Sequence, residues 1–83
     1  MSRISEKYKD TTEIARWPAS KNELFLVTIF RVGSQQKVDF RRWFVDLQGC
    51  LHPSRAGIRF PLEELPRLRR ALKKTVRRLE GRR

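Results

Sequence analysis

The sequence predicts an α+β fold: a four-stranded antiparallel sheet followed by one C-terminal amphipathic helix. Three observations carry this expectation. Residues 23–46 hold two runs rich in β-branched and aromatic types, separated by a turn signal at Gly33 and Ser34. The turns between extended pieces are short, which favours antiparallel neighbours. From Leu65 onward the apolar spacing changes from two to three and four, the period of a helix.

Residues 1–10, MSRISEKYKD, are polar apart from Ile4 and Tyr8 and read as a flexible arm. Residues 11–83 form the single domain, as a chain of 83 residues suggests. In TTEIARWPASKNE, Ile14 and Trp17 anchor a short extended piece that Pro18 ends. The run ELFLVTIFR, 23–31, is the first long strand. Alternation puts Leu24, Leu26, Thr28 and Phe30 on one face and Phe25, Val27, Ile29 and Arg31 on the other. After the VGSQQ turn, KVDFRRWFVD, 37–46, is the second. Here Lys37, Asp39, Arg41 and Trp43 share a face, and Val38, Phe40, Arg42 and Phe44 share the opposite one. Gly49 marks the next turn. CLHPSRAGIRF then reads as two short strands broken by Pro53 and Gly57.

The helix is expected over about 62–80. Leu65, Leu68, Leu72, Val76 and Leu79 form one stripe, and Arg67, Arg70, Lys74, Arg77 and Arg78 lie opposite. Glu63 and Glu64 suit the positive end of the helix dipole, and Gly81 suits a stop. Pro66 removes one backbone donor and is expected to kink or delay the start. One helix covers one sheet face, so the other face must meet solvent, a second subunit or a ligand.

Charge bounds the function most tightly. Twenty Lys and Arg face nine Asp and Glu, a net charge of +11. Between Leu65 and Arg83 there are nine basic residues and a single acid, Glu80. Such an excess favours polyanions, above all nucleic acid. The single cysteine, Cys50, excludes an internal disulfide and points to a reducing compartment. The N-terminal residues lack a long apolar stretch, against a secretory leader or membrane span. A cytoplasmic, nucleoid-associated setting is expected, or a nuclear one in a eukaryote.

Catalysis finds little support. His52 and Cys50 are the only histidine and thiol, with no orienting third group in view. Two ligands at that spacing do not make a zinc site. The glycines Gly33, Gly49 and Gly57 are isolated, so no phosphate loop is present. The chain is read as a non-enzyme that needs no cofactor or metal. A cationic sheet carrying aromatics instead suits unpaired strands: phosphates meet Arg and Lys while bases stack on rings.

The stretch from Val38 to Leu72 resembles the positive cofactor four family of transcriptional coactivators, particularly its bacterial members. The carrying features are the run from Val38 to the paired aromatics Trp43 and Phe44, the turn with Asp46 and Gly49, and the segment Pro53, Arg55, Gly57, Ile58. PLEEL then opens the helix, and EIARWPASKNELFLVTIFR resembles the family's lead-in and first long strand. The resemblance covers roughly residues 13–80. It implies a curved sheet, a kinked helix and a symmetric homodimer with grooves for single-stranded DNA. By position it implies that Arg41 contacts DNA, that Phe44 stacks on bases beside Trp43, and that Arg55 lines the groove. This chain departs from the pattern at Val32, where the family has a phenylalanine and where Phe30 is the nearest substitute. It departs again at Ala56, where a basic residue is common, and in its far more basic helix. The eukaryotic coactivator's serine-rich arm is absent.

The candidate contact set is therefore Arg16, Lys21, Phe30, Lys37, Arg41, Trp43, Phe44, Arg55 and Arg59. The expected partners are single-stranded DNA, with duplex DNA and RNA as further candidates, a second copy of the chain, and transcription machinery. The expected role is a transcription cofactor or a recombination or repair accessory with little sequence preference. The competing reading is a protein- or RNA-interaction module using the basic helix. Pleating leaves one question open: a regular strand through residue 44 would favour Trp43 as the stacking ring, whereas a bulge would let Phe44 share the face of Arg41.

Overall fold

A computed structural model describes residues 2–81. Its elements are β1 (Arg3–Ile4), β2 (Thr11–Ser20), β3 (Glu23–Val32), β4 (Gln35–Val45), β5 (Cys50–Pro61) and α1 (Leu65–Glu80), with single 3-10 turns at Glu6–Tyr8 and Leu62–Glu64. The sheet is curled and ordered β1-β5-β4-β3-β2. Strands β2 to β5 form an antiparallel meander, but not of the four pieces expected: the short piece that Pro18 was to end is the full strand β2, the two short pieces after Gly49 are the single strand β5, and β1 adds a fifth strand parallel to β5. The four-stranded, wholly antiparallel expectation is thus corrected to five strands and a mixed sheet.

The two halves of the correction have separate causes. The segment read as a flexible arm supplies β1, tied by Arg3 N–H to Gly49 O at 3.2 Å and Ser5 N–H to Leu51 O at 3.1 Å. The pieces flanking Pro53 and Gly57 are one strand, not two. Strand β1 covers only Cys50 and Leu51, so beyond them β5 is a sheet edge, where proline forfeits no ladder bond. Pro18 is tolerated in β2 for the same reason, because β2 is the other edge.

Tight turns set the register. Gly33 takes φ +62° at the first position of the two-residue β3–β4 loop, as a II′-type hairpin requires. From Val32↔Gln35 to Glu23↔Phe44 the β3–β4 pairing has no slip. The slip lies between β4 and β5. Arg41 pairs with Gly57 and Trp43 with Pro53, so Ser54, Arg55 and Ala56 together oppose Arg42. The bulge is on β5, and the pleat of β4 continues unbroken through Phe44. Gly57 is required at its rim, since a Cβ there would meet the Arg41 backbone and side chain, with Phe40 O at 2.7 Å. Gly57→Ala should lower stability by roughly 1–3 kcal/mol, read from urea unfolding midpoints. A neutral result would mean the β4–β5 approach is looser than this.

The two sheet faces differ in kind. On the Trp43 face, Leu26, Trp43 and Leu51 are the buried cluster, flanked by Ile4, Tyr8, Leu24 and Val45. The Phe44 face carries a tilted aromatic trio, Trp17, Phe25 and Phe40, with centroids 5.5–5.9 Å apart. Helix α1 begins after its 3-10 turn, with Pro66 in the first helical turn, where its missing N–H has no helical partner to lose. Leu65, Leu68 and Leu72 look across an apolar cleft of about 540 Å³ toward Trp17, Val38, Phe40 and Phe60. The rest of the stripe leaves the sheet behind: Leu72, Val76 and Leu79 are 53–62 % exposed. The helix was read as able to cover only one sheet face, and its first turns lie over that face while the rest overhangs it.

Candidate nucleic-acid interface

The structure divides the predicted contact residues between two faces, a turn and a bulge. Arg16, Phe30, Lys37, Arg41, Trp43 and Arg59 fall on the Trp43 face by register. Phe44 lies on the opposite face. Exposed Lys21 sits in the β2–β3 turn, and exposed Arg55 in the β5 bulge.

Trp43 and Phe44 have opposite environments. Trp43 is 3 % exposed, with Tyr8 set edge-on at a centroid distance of 5.7 Å. Regular pleating alone favoured Trp43 for base stacking, but the N-terminal segment closes over it. Phe44 is 43 % exposed and stacks on the His52 ring at 5.5 Å and 23°. His52 is held by Asp46 across a 2.8 Å contact between Nε2 and Oδ2. Phe44 is therefore an open ring on a braced support. The adjoining turn is tied to it, since Val45 N–H donates to Asn22 O at 3.0 Å, which brings Lys21 to the same end of the sheet.

On the Trp43 face the cations are organised around one carboxylate. Asp39 is 2 % exposed. Arg41 donates to it through Nε at 2.7 Å and Nη2 at 2.8 Å, and also reaches Ser54 O through Nη1 at 2.9 Å. The hydrogen bonds to Asp39 hold the Arg41 guanidinium above its already high ordinary pKa. Arg59 approaches Asp39 at 3.4 Å and lies over the Phe30 ring at 4.3 Å. Lys37 pairs in register with Phe30. Arg16 is turned to Glu13, hydrogen-bonded through two nitrogens at 2.6 Å, and to Ser2 O at 3.0 Å. That pairing raises the Arg16 pKa and lowers that of Glu13.

With this geometry in view, residues 17–71 match the family described as Transcriptional Coactivator p15 (PC4). The chain belongs to the PC4 family. Among solved structures it is similar to a chain described as "Bacteriophage T5 Homolog of the Eukaryotic Transcription Coactivator PC4 Implicated in Recombination-Dependent DNA Replication". The TM-score is 0.71 at 23 % identity, covering 86 % of this chain and 82 % of that one. No curated protein matches.

Several residues of this PC4-family chain that stand beside the candidate contacts escaped the sequence reading. Arg42 lies over the Phe25 ring at 5.5 Å and pairs with Glu23 at 2.8 Å. Its alternation with Phe40 and Phe44 was the available signal, but the cross-strand neighbours Phe25 and Glu23 needed the register. His52 and Tyr8 gave no signal as isolated aromatics. Among the described residues, no three His, Cys, Asp or Glu side chains gather as a metal site, and no helix is long and apolar enough to cross a membrane.

Asp46 braces both the turn and the stacked pair. Its Oδ1 accepts from the backbone N–H groups of Cys50 and Gln48, each at 2.9 Å. The Cys50 N–H and then His52 hold its carboxyl below the usual aspartate range. A lowered carboxylate pKa contributes stability that is complete above the unfolded value of about 3.9 and is lost as pH falls toward the folded value. Asp46→Asn should therefore be less stable than the parent at pH 7, with the gap closing below about pH 4. Unfolding midpoints at pH 7, 4 and 2.5 check this, and a gap independent of pH would contradict it.

Proposed function

We propose that this chain is a homodimeric, non-enzymatic protein that holds single-stranded or locally melted DNA across its sheet with little sequence preference. The observation that carries the reading is Phe44, an exposed ring stacked on an anchored His52, with Arg42 on the same face and Lys21 at the same sheet end. Unpaired bases stack on such rings while nearby cations take their phosphates. The opposite, Trp43 face carries a cationic surface of its own in Lys37, Arg41 and the Phe30–Arg59 pair, and exposed Arg55 stands at the β5 bulge. Family membership and the recombination-dependent replication associated with the T5 protein support a role where DNA is unwound, in recombination, repair or transcription. The cytoplasm at the nucleoid suits both the substrate and the lone thiol.

The unpartnered apolar surface supports the dimer. Leu72, Val76 and Leu79 on α1, with Ile58 on the sheet, are more than half exposed. A second copy covering them would shield the area that the overhanging helix leaves in water.

Phe44→Ala tests the strand-binding role. Losing one stacked base should weaken binding of a short oligo-dT by about 5- to 150-fold, equivalent to 1–3 kcal/mol. Fluorescence anisotropy at fixed salt measures it, with unfolding midpoints confirming that the fold persists. An unchanged affinity in the folded variant rejects Phe44 as a base platform.

A further inference from the structure

We propose that the polar face of α1 is a second nucleic-acid surface, one that grips the phosphate backbone of duplex DNA. It is distinct from the sheet and does not depend on the single-strand reading. The described residues of α1 carry seven Lys and Arg against Glu80, and every residue from Arg69 to Glu80 is exposed. Among the described residues, the one ion pair made by a helix cation is the loose Arg67–Glu64 contact at 3.8 Å. Arg70, Lys74, Arg77 and Arg78 recur every one to four residues, so like charges stand one turn apart without acids between them. Isolated, that row repels itself, and a polyanion relieves the repulsion.

The same face argues for duplex over unpaired strand. The helix sequence LPRLRRALKKTVRRLE contains no aromatic, so it offers bases nothing to stack on. It offers a rod of charge about 24 Å long, at 1.5 Å per residue. A duplex presents one phosphate charge per about 1.7 Å of axis and needs no exposed base to be held this way. The apolar stripe lies on the opposite side of the helix, so covering the leucines leaves the cations outward. The amphipathic pattern, with leucines opposite Lys and Arg, also fits an anionic membrane surface, which the vesicle arm of the test below separates from duplex binding. The family match ends at residue 71, so Lys73 to Arg78 lie beyond it. A single strand on the sheet and a duplex on α1 would place the protein at a single-strand–duplex junction.

The test is the triple variant Arg70→Gln, Lys74→Gln, Arg77→Gln. Glutamine keeps helix propensity and leaves the apolar stripe intact. Binding of a blunt 20-base-pair duplex and of oligo-dT is titrated across salt for the parent, this variant and Phe44→Ala. The triple variant should bind duplex at least about tenfold more weakly. Its log–log salt slope should be shallower by about 2.7, since each phosphate no longer neutralised accounts for about 0.9. Its oligo-dT affinity should fall no more than about threefold, while Phe44→Ala keeps duplex affinity. An unchanged duplex affinity and slope, or an equal loss on both ligands, overturns the proposal. So does co-sedimentation of the parent with phosphatidylglycerol vesicles in the absence of measurable duplex binding. Loss of oligo-dT binding by neither variant would count against the sheet reading while leaving the duplex result intact.

Discussion

Trp43→Ala should lower the free energy of unfolding by about 3–5 kcal/mol, the range for deleting a buried indole. A domain of this size has roughly 5–15 kcal/mol in all, so the variant should be near the edge of folding. The loss has identifiable parts. Trp43 fills the cluster with Leu26 and Leu51, and Tyr8 packs edge-on against it. Removing the indole leaves a cavity beneath the N-terminal segment and takes away what Tyr8 rests on. The short β1 strand should then detach, since two residues of parallel pairing are weak alone. Trp43→Phe separates packing from polarity. The indole Nε1 is buried with no hydrogen-bond partner among the described residues, so replacing it removes an unsatisfied donor. That variant should lose less than about 1.5 kcal/mol. Urea unfolding checks both, and a loss below about 1 kcal/mol for Trp43→Ala would mean that Tyr8 and β1 do not close over the ring in solution.

Adjacent tryptophan and phenylalanine thus have opposite environments, one buried and one open, and the sequence carried half of that distinction. Alternation correctly set Trp43 beside Arg41 and Phe44 beside Phe40 and Arg42, because the β3–β4 hairpin is regular from its Gly33 turn. It was silent about which face is covered. The cover comes from Tyr8 and Ile4, in a stretch with neither period nor propensity, through a parallel contact to Cys50 and Leu51 far along the chain. Local patterns do not encode such pairings. Pro53 and Gly57 misled for a related reason: they break an interior strand but are harmless on the edge that β5 becomes past Leu51. The apolar period of α1 was plain, and its bounds moved only by the 3-10 turn before Leu65. Amphipathicity says that a stripe wants a partner, not that this sheet supplies it.

Asp39→Ala is the other large expected loss, about 3–5 kcal/mol, because it strands a mostly buried guanidinium. The Arg41 and Asp39 side chains are 14 % and 4 % exposed, and two short hydrogen bonds join them. Arg59 cannot replace Arg41 for Asp39, being half exposed and 3.4 Å away. Arg41→Ala should be similarly harmful, so weaker DNA binding by that variant alone would not show contact. Pairing Asp39→Val with Arg41→Met removes both charges together. The double variant should recover most of the stability, since an apolar pair avoids the desolvation that the ion pair incurs. It then isolates the role of Arg41 in binding. Three of the five guanidinium N–H groups are used by Asp39 and Ser54 O, which leaves two for a phosphate. One phosphate held in that way should account for about 0.7 of the oligo-dT salt slope, and the double variant should be shallower by that amount. A stable double variant with the parent's slope would assign Arg41 wholly to holding Asp39.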